Sequence, residues 1–150
     1  MLAKIALTLG AALGAGTLAT EASAASLTLT VSPATVHPGK RYTVSITGRY
    51  DKRAHPAPYL VAFIQYSGQT CRSTATAEYT LPTSEWDWVV FPQAERKSPF
   101  TSVTYWKAST HLGARRICTY LYPGPVGPRT TVQPLARAGE SGAAFHVTRG

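Results

Sequence analysis

Beyond its first two dozen residues, the chain consists largely of short segments in which apolar and polar side chains alternate. LTLTV at 27–31 places its apolar residues on one face and its threonines on the other, and YTVSITG at 42–48 repeats the pattern. This period of two, with many β-branched residues, predicts half-buried strands. YLVAFIQY at 59–66 is apolar on both faces, which predicts a central strand covered on both sides.

Four further strands are predicted at residues 88–91, 100–106, 115–122 and 143–148, which brings the total to about seven. Pro- and Gly-rich turns separate them, as at 32–39 and 123–128. The segment 71–81, with its TATAEY core, fits a short helix or a strand equally well. Short strands spaced by turns in a chain of this length favour an all-β fold, an antiparallel β-sandwich.

The N-terminus has the pattern of a secretory signal peptide. A short region with Lys4 precedes an apolar stretch of about 16 residues rich in Ala, Leu and Gly, and an Ala-Ser-Ala site follows at 22–24. The alternative is a membrane anchor, but a spanning helix needs about 20 predominantly apolar residues. We therefore predict a cleaved signal peptide at 1–25 and one domain at 26–150, secreted or in the cell envelope, with no transmembrane segment after cleavage.

The predicted export affects the expected oxidation state of the two cysteines, Cys71 and Cys118. Outside the cytosol two cysteines normally form a disulfide, and two can pair in only one way. A metal ligand or a nucleophile is the alternative, but the chain lacks the closely spaced Cys and His pairs of zinc sites, and its four histidines lie far apart in sequence. We predict a disulfide, no metal and no cofactor.

Two segments resemble small secreted immunoglobulin-like domains of actinobacterial type. SPATVHPGKRYTVSITG at 32–48 is similar to their first two strands, and GARRICTYLY at 113–122 is similar to their penultimate strand. The resemblance implies an immunoglobulin-like β-sandwich and says little about activity. The chain departs from antibody domains in two respects. Cys71 follows the third predicted strand instead of lying on the second, and Tyr120 follows Cys118, whereas the tyrosine of antibody domains precedes the second cysteine. We therefore expect the bridge to join a strand to a neighbouring loop.

The net charge is +8, and Lys4 and Glu21 cancel, so cleavage of the signal peptide leaves it unchanged. This balance favours polyanionic partners such as acidic envelope polymers, although it also serves solubility. The basic residues occur in doublets rather than long runs, and nothing in the sequence indicates specific nucleic-acid binding. The candidate polyanion contacts are Arg96, Lys97, Arg115 and Arg116.

The aromatic residues allow two interpretations. Trp86 and Trp88 share one face of a predicted strand and belong either to the core, which we favour, or to a platform on which sugar rings stack. Trp106 and Tyr105 are further candidates for such glycan contacts. Glu85 and Asp87 flank Trp86 at a separation that suits an inverting glycosidase, but such pairs arise often by chance.

These observations favour a monomeric, non-catalytic binding or structural module of the cell envelope or extracellular space, with acidic or polysaccharide envelope polymers as partners. One alternative is a small glycoside-active enzyme that uses Glu85 and Asp87. Another is an adhesin or inhibitor that binds an extracellular protein through the charged loops at 49–58 and 92–99.

Overall fold

The computed structural model describes residues 24–66, 70–81, 86–94, 97–139 and 144–150, and for residues 86–94 it describes the backbone only. The predicted signal peptide lies almost wholly outside these residues. The described part of the chain is all-β apart from one short helix. Its elements are β1 (Ser26–Ser32), β2 (Thr35–Val36), β3 (Arg41–Arg49), β4 (Tyr59–Tyr66), α1 (Ala75–Tyr79), β5 (Trp86–Ala94), β6 (Phe100–Lys107), β7 (Gly113–Tyr122), β8 (Ala136–Ala138) and β9 (Ala144–Val147).

The strands form two sheets. A three-stranded antiparallel sheet has the order β1-β3-β6, and a six-stranded sheet has the order β2-β9-β7-β4-β5, with β8 also paired to β7. The seven predicted strands correspond to β1, β3, β4, β5, β6, β7 and β9, and β4 has the predicted bounds. The short strands β2 and β8 were not predicted. Because β2 runs parallel to β9, the expectation of purely antiparallel pairing was wrong in this detail.

The core lies between the two sheets. The alternation in β1 and β3 buries Leu29, Val44 and Ile46, which form one cluster with residues of the six-stranded sheet such as Ile117 and Phe145. Burial of these side chains is the main stabilising contribution to a β fold of this size.

The outer surface of the six-stranded sheet is covered as well. The segment 70–81 and residues after β7 pack on it and enclose a second apolar cluster, which confirms the prediction that β4 is buried on both faces. The members of this cluster are Val61, Phe63, Ala75, Cys118, Tyr120, Tyr122 and Val126.

The ambiguous TATAEY segment contains a helix. Thr74 is its N-cap, with an extended backbone, and its hydroxyl accepts a hydrogen bond from the backbone N–H of Ala77 at 3.1 Å. Such a cap satisfies a backbone donor that the first helical turn leaves unpaired. Within the described residues, no helix has the length and apolar character needed to cross a membrane.

Candidate functional site

The predicted disulfide between Cys71 and Cys118 is present, with an S–S distance of 2.07 Å and a Cα–Cα distance of 5.4 Å. Cys118 is buried in β7, whereas Cys71 is half-buried in the loop between β4 and α1. This confirms that the bridge joins a strand to a neighbouring loop. Gly139 packs against it, because a Cβ at that position would overlap Cys71 Sγ and the backbone oxygen of Ile117.

A buried carboxylate lies beside the disulfide. Glu78, on α1, has no exposed surface. Its Oε2 accepts a hydrogen bond from Nε2 of Gln65 at 2.6 Å, and its Oε1 accepts one from the backbone N–H of Arg72 at 2.7 Å. The phenolic O–H of Tyr120 also donates to Oε1, at 2.5 Å. These bonds connect β4, β7 and the covering loop through one side chain.

Tyr120 is tied into the same network. Its phenolic oxygen also lies 2.7 Å from the backbone oxygen of Arg72. Burial raises the pKa of Tyr120 far above its usual value of 10.0, and the hydrogen bond to Glu78 raises it further. Burial also raises the pKa of Tyr122, whose phenolic oxygen accepts a hydrogen bond from the backbone N–H of Ala75 at 2.8 Å.

The side-chain atoms of Cys71, Glu78 and Cys118 that could ligate a metal ion lie within 4.8 Å of one another. Thiolates bind metals, but both sulfurs are consumed by the disulfide, and the carboxylate already accepts three hydrogen bonds. In the oxidised protein this cluster therefore serves to attach the covering loop to the sheet.

The basic residues proposed as polyanion contacts differ in burial where the structure describes them. Arg115 is only 3% exposed, and its guanidinium donates to the backbone oxygens of His111 and Ala114 and lies 4.5 Å from the centre of the Tyr66 ring. Arg116 is half-buried and donates to the backbone oxygen of Gly139 at 2.9 Å. The burial of Arg115 therefore argues against a contact between its side chain and a polyanion. Lys97 is exposed, and Arg96 lies outside the described residues.

The aromatic candidates divide between the core and the surface. Trp106 is half-buried on the inner side of β6 and makes an edge-to-face contact with Tyr42, with ring centres 6.1 Å apart. Tyr105 points the opposite way and is 67% exposed. Trp86 and Trp88 belong to β5, whose side chains are not described. The same holds for Asp87, while Glu85 lies wholly outside the described residues.

In the part of the chain that the structure describes, the outward side chains of the three-stranded sheet are exposed or half-buried. Alternate residues of β1, β3 and β6 point away from the core, as the burial of the intervening residues indicates. The strand register aligns them in rows across the sheet, one of which contains Thr30, Ser45 and Val103. We call this surface the hydroxyl face, because most of its outward side chains are serines and threonines. Its members are Ser26, Thr28, Thr30, Ser32, Arg41, Thr43, Ser45, Thr47, Arg49, Thr101, Val103, Tyr105 and Lys107.

The sequence alone does not predict the hydroxyl face as a site. The alternation within β1 and β3 already placed the threonines of each strand on one side. It did not reveal that β1, β3 and β6 are neighbours, and that pairing joins their outward rows into one surface.

No protein-family model matches the chain, and no curated protein matches it. Among solved structures, it is similar to the Pseudomonas fluorescens alkylpurine DNA glycosylase AlkC bound to DNA containing an abasic site analog, at 14% identity and a TM-score of 0.47, over 84% of this chain and 31% of that chain. It is also similar to the PmoD soluble domain from Methylocystis sp., at 13% identity and a TM-score of 0.45, over 81% and 90% of the two chains. The chain thus spans less than a third of the glycosylase chain. With both TM-scores below 0.5, neither similarity carries an argument about function.

Proposed function

We propose that the protein is an exported, non-catalytic binding module with an immunoglobulin-like β-sandwich fold. The division of the strands supports this fold: β1, β3 and β6 form one sheet, and β4, β5, β7 and β9 belong to the other. Immunoglobulin-like domains place strands A, B, E and D in one sheet and C, F and G, with C′ in the variable type, in the other, and the described residues contain counterparts of all of these except D. In this correspondence β2 continues the first strand onto the opposite sheet, where it pairs with the last strand.

Export is supported by two features of different kinds. The N-terminal segment has the charge, apolar stretch and cleavage site of a signal peptide. The chain also contains the Cys71–Cys118 disulfide, and such bonds persist in oxidising compartments outside the cytosol. We place the mature protein in the cell envelope or the extracellular space.

The observation that carries the binding role is the contrast between the two outer surfaces. A loop, a helix and the disulfide cover the six-stranded sheet, whereas the side chains of the hydroxyl face are exposed or half-buried among the residues that the structure describes. Val103 is 50% exposed and Tyr105 is 67% exposed on this face. Tyrosine is enriched at interaction surfaces relative to the rest of a protein surface. We propose the hydroxyl face as the binding surface.

The test is sedimentation of the purified, oxidised mature protein with cell-envelope material from its source, at low and at high salt. We expect the protein to pellet with the envelope and its retention to fall as salt increases, because salt screens the charges of an exposed surface. If the protein stays in the supernatant at both salt concentrations, the proposed envelope-binding role is wrong.

A further inference from the structure

The charges of the hydroxyl face have one sign. Arg41 and Lys107 are direct neighbours in the strand register at one end of the face, and Arg49 lies at the other end of β3. Arg41 and Arg49 are about 27 Å apart at a rise of about 3.4 Å per residue. All three side chains are exposed, and no position of the face is acidic. The face therefore complements a long anionic partner that is charged at intervals along its length.

Between these charges the face offers hydrogen-bonding groups in rows. Thr28 and Thr30 of β1 lie beside Thr47 and Ser45 of β3, and neighbouring strands are about 4.8 Å apart. Each hydroxyl donates one hydrogen bond and accepts others, so the rows match a partner that carries many hydroxyl groups of its own.

Tyr105 provides an apolar ring with a polar end. It lies opposite Thr43 in the register, two positions from Lys107 along β6. An exposed tyrosine ring packs against apolar ring faces while its hydroxyl remains hydrated. One aromatic ring, surrounding hydroxyls and flanking guanidinium groups together suit a sugar chain with acidic groups.

Building on the binding role proposed above, we infer that the hydroxyl face binds an acidic polysaccharide whose sugar units carry carboxylates. Arg41 and Arg49 pair with carboxylates, which the guanidinium group contacts through two parallel hydrogen bonds. The Ser and Thr rows contact sugar hydroxyls, and Tyr105 packs against a ring. Proteins that bind single-stranded nucleic acid present several aromatic rings along a basic groove. The hydroxyl face has a single exposed ring, which favours the glycan.

The experiment measures the affinity of the oxidised protein for polygalacturonate, with fully methyl-esterified polygalacturonate as an uncharged probe of the same backbone. We expect binding to polygalacturonate that weakens with salt and little binding to the ester. Arg41→Ala/Lys107→Ala should lower the affinity about tenfold, and Tyr105→Ala about fivefold.

A matched control removes two charges from the opposite side of the molecule. Arg72 and Arg129 are exposed there, the latter beside Thr130, whose backbone oxygen contacts α1. Arg72→Ala/Arg129→Ala has the same net charge as Arg41→Ala/Lys107→Ala, and we expect it to bind within about twofold of the wild type. Far-ultraviolet circular dichroism establishes that each variant is folded.

Several results would overturn the inference. These are failure to bind polygalacturonate, equal binding of the ester, equal loss in the control variant, and tighter binding of single-stranded DNA through the same residues. Self-association of the free protein that Tyr105→Ala abolishes would identify a second copy of the chain as the occupant instead. If the wild type pellets with envelope material but does not bind polygalacturonate, the binding role stands and the acidic glycan is wrong. If it does neither, both are wrong.

Discussion

The phenolic oxygen of Tyr120 lies 2.5 Å from Oε1 of Glu78, within a cluster that has no access to water at the carboxylate. Tyr120 belongs to β7 and Glu78 to α1, so this hydrogen bond attaches the helix to the sheet. The disulfide attaches the same loop a few residues earlier, at Cys71. Together these contacts hold the covering layer on the six-stranded sheet.

The first prediction concerns the charge of Glu78. Glu78→Gln replaces a charged acceptor of three hydrogen bonds with a neutral amide that has one acceptor oxygen, so the bonds to Gln65, Arg72 and Tyr120 are weakened or lost. We expect the free energy of unfolding to fall by about 2 to 3 kcal/mol. Denaturant unfolding monitored by tryptophan fluorescence measures the change.

The control for this prediction is Arg72→Ala. Arg72 contacts the cluster through its backbone N–H and oxygen, while its side chain is exposed. Its truncation should change the free energy of unfolding by less than about 0.5 kcal/mol. Equal losses in Glu78→Gln and Arg72→Ala would contradict the assignment of the stabilisation to the carboxylate.

Tyr120 makes stability depend on alkaline pH. Its pKa is raised, by burial first and by Glu78 second, whereas an unfolded tyrosine ionises near pH 10. Above that pH the native chain keeps a proton that the unfolded chain loses, so stability falls as pH rises. The stabilisation is complete below about pH 10 and is lost progressively above it.

Unfolding in denaturant at a series of pH values from 8 to 11 tests this dependence. Tyr120→Phe has no proton to lose, so its stability should decline less steeply above pH 10 than that of the wild type. Tyr105→Phe, at an exposed position, serves as the control and should keep the wild-type slope. Identical slopes in the wild type and Tyr120→Phe would refute the prediction.

The disulfide should supply a large share of the stability. It closes a loop with a sequence separation of 47, for which the chain-entropy relation gives about 4 kcal/mol. We expect Cys71→Ala/Cys118→Ala to lose about this amount in the free energy of unfolding, and reduction of the wild type to have a similar effect. An unchanged unfolding midpoint after complete reduction would contradict this prediction.

Gly139 is predicted to tolerate no side chain. Its φ is +143°, which L-residues rarely adopt, and a Cβ would meet the disulfide and the chain of β7. Gly139→Ala should therefore lose more than about 2 kcal/mol in thermal or denaturant unfolding. Gly124→Ala is the matched control, because a Cβ there has no neighbour within 4 Å among the described residues. Equal stability of the two variants would show that Gly139 is not constrained in this way.

Local sequence patterns predicted the elements well where burial alone decides the conformation. The bounds of β4 follow from its continuous apolar run, and the disulfide was predicted from two cysteines behind an N-terminus with the pattern of a signal peptide. The helix α1 was ambiguous because five residues are too few to distinguish a period of 3.6 from a period of two. Thr74, a residue type that favours the N-cap position, was the sequence signal that could have indicated a helix here.

The candidate site was harder to predict because it depends on pairing between distant segments. The adjacent Arg115 and Arg116 predict two surface charges, but alternation along β7 places Arg115 on the same side as Ile117, where it is buried. Arg41 and Lys107 are far apart in sequence but adjacent in the sheet. No local pattern encodes that proximity, so the basic end of the hydroxyl face emerges only from the topology.

The measurement that tests the binding surface most directly is an NMR titration of isotope-labelled, oxidised protein with polygalacturonate. We predict saturable shifts of backbone amides in β1, β3 and β6, strongest near Tyr105, and far smaller shifts with the methyl ester. Shifts concentrated in α1 and in the residues that cover the six-stranded sheet, with the hydroxyl face unchanged, would contradict the proposed binding surface.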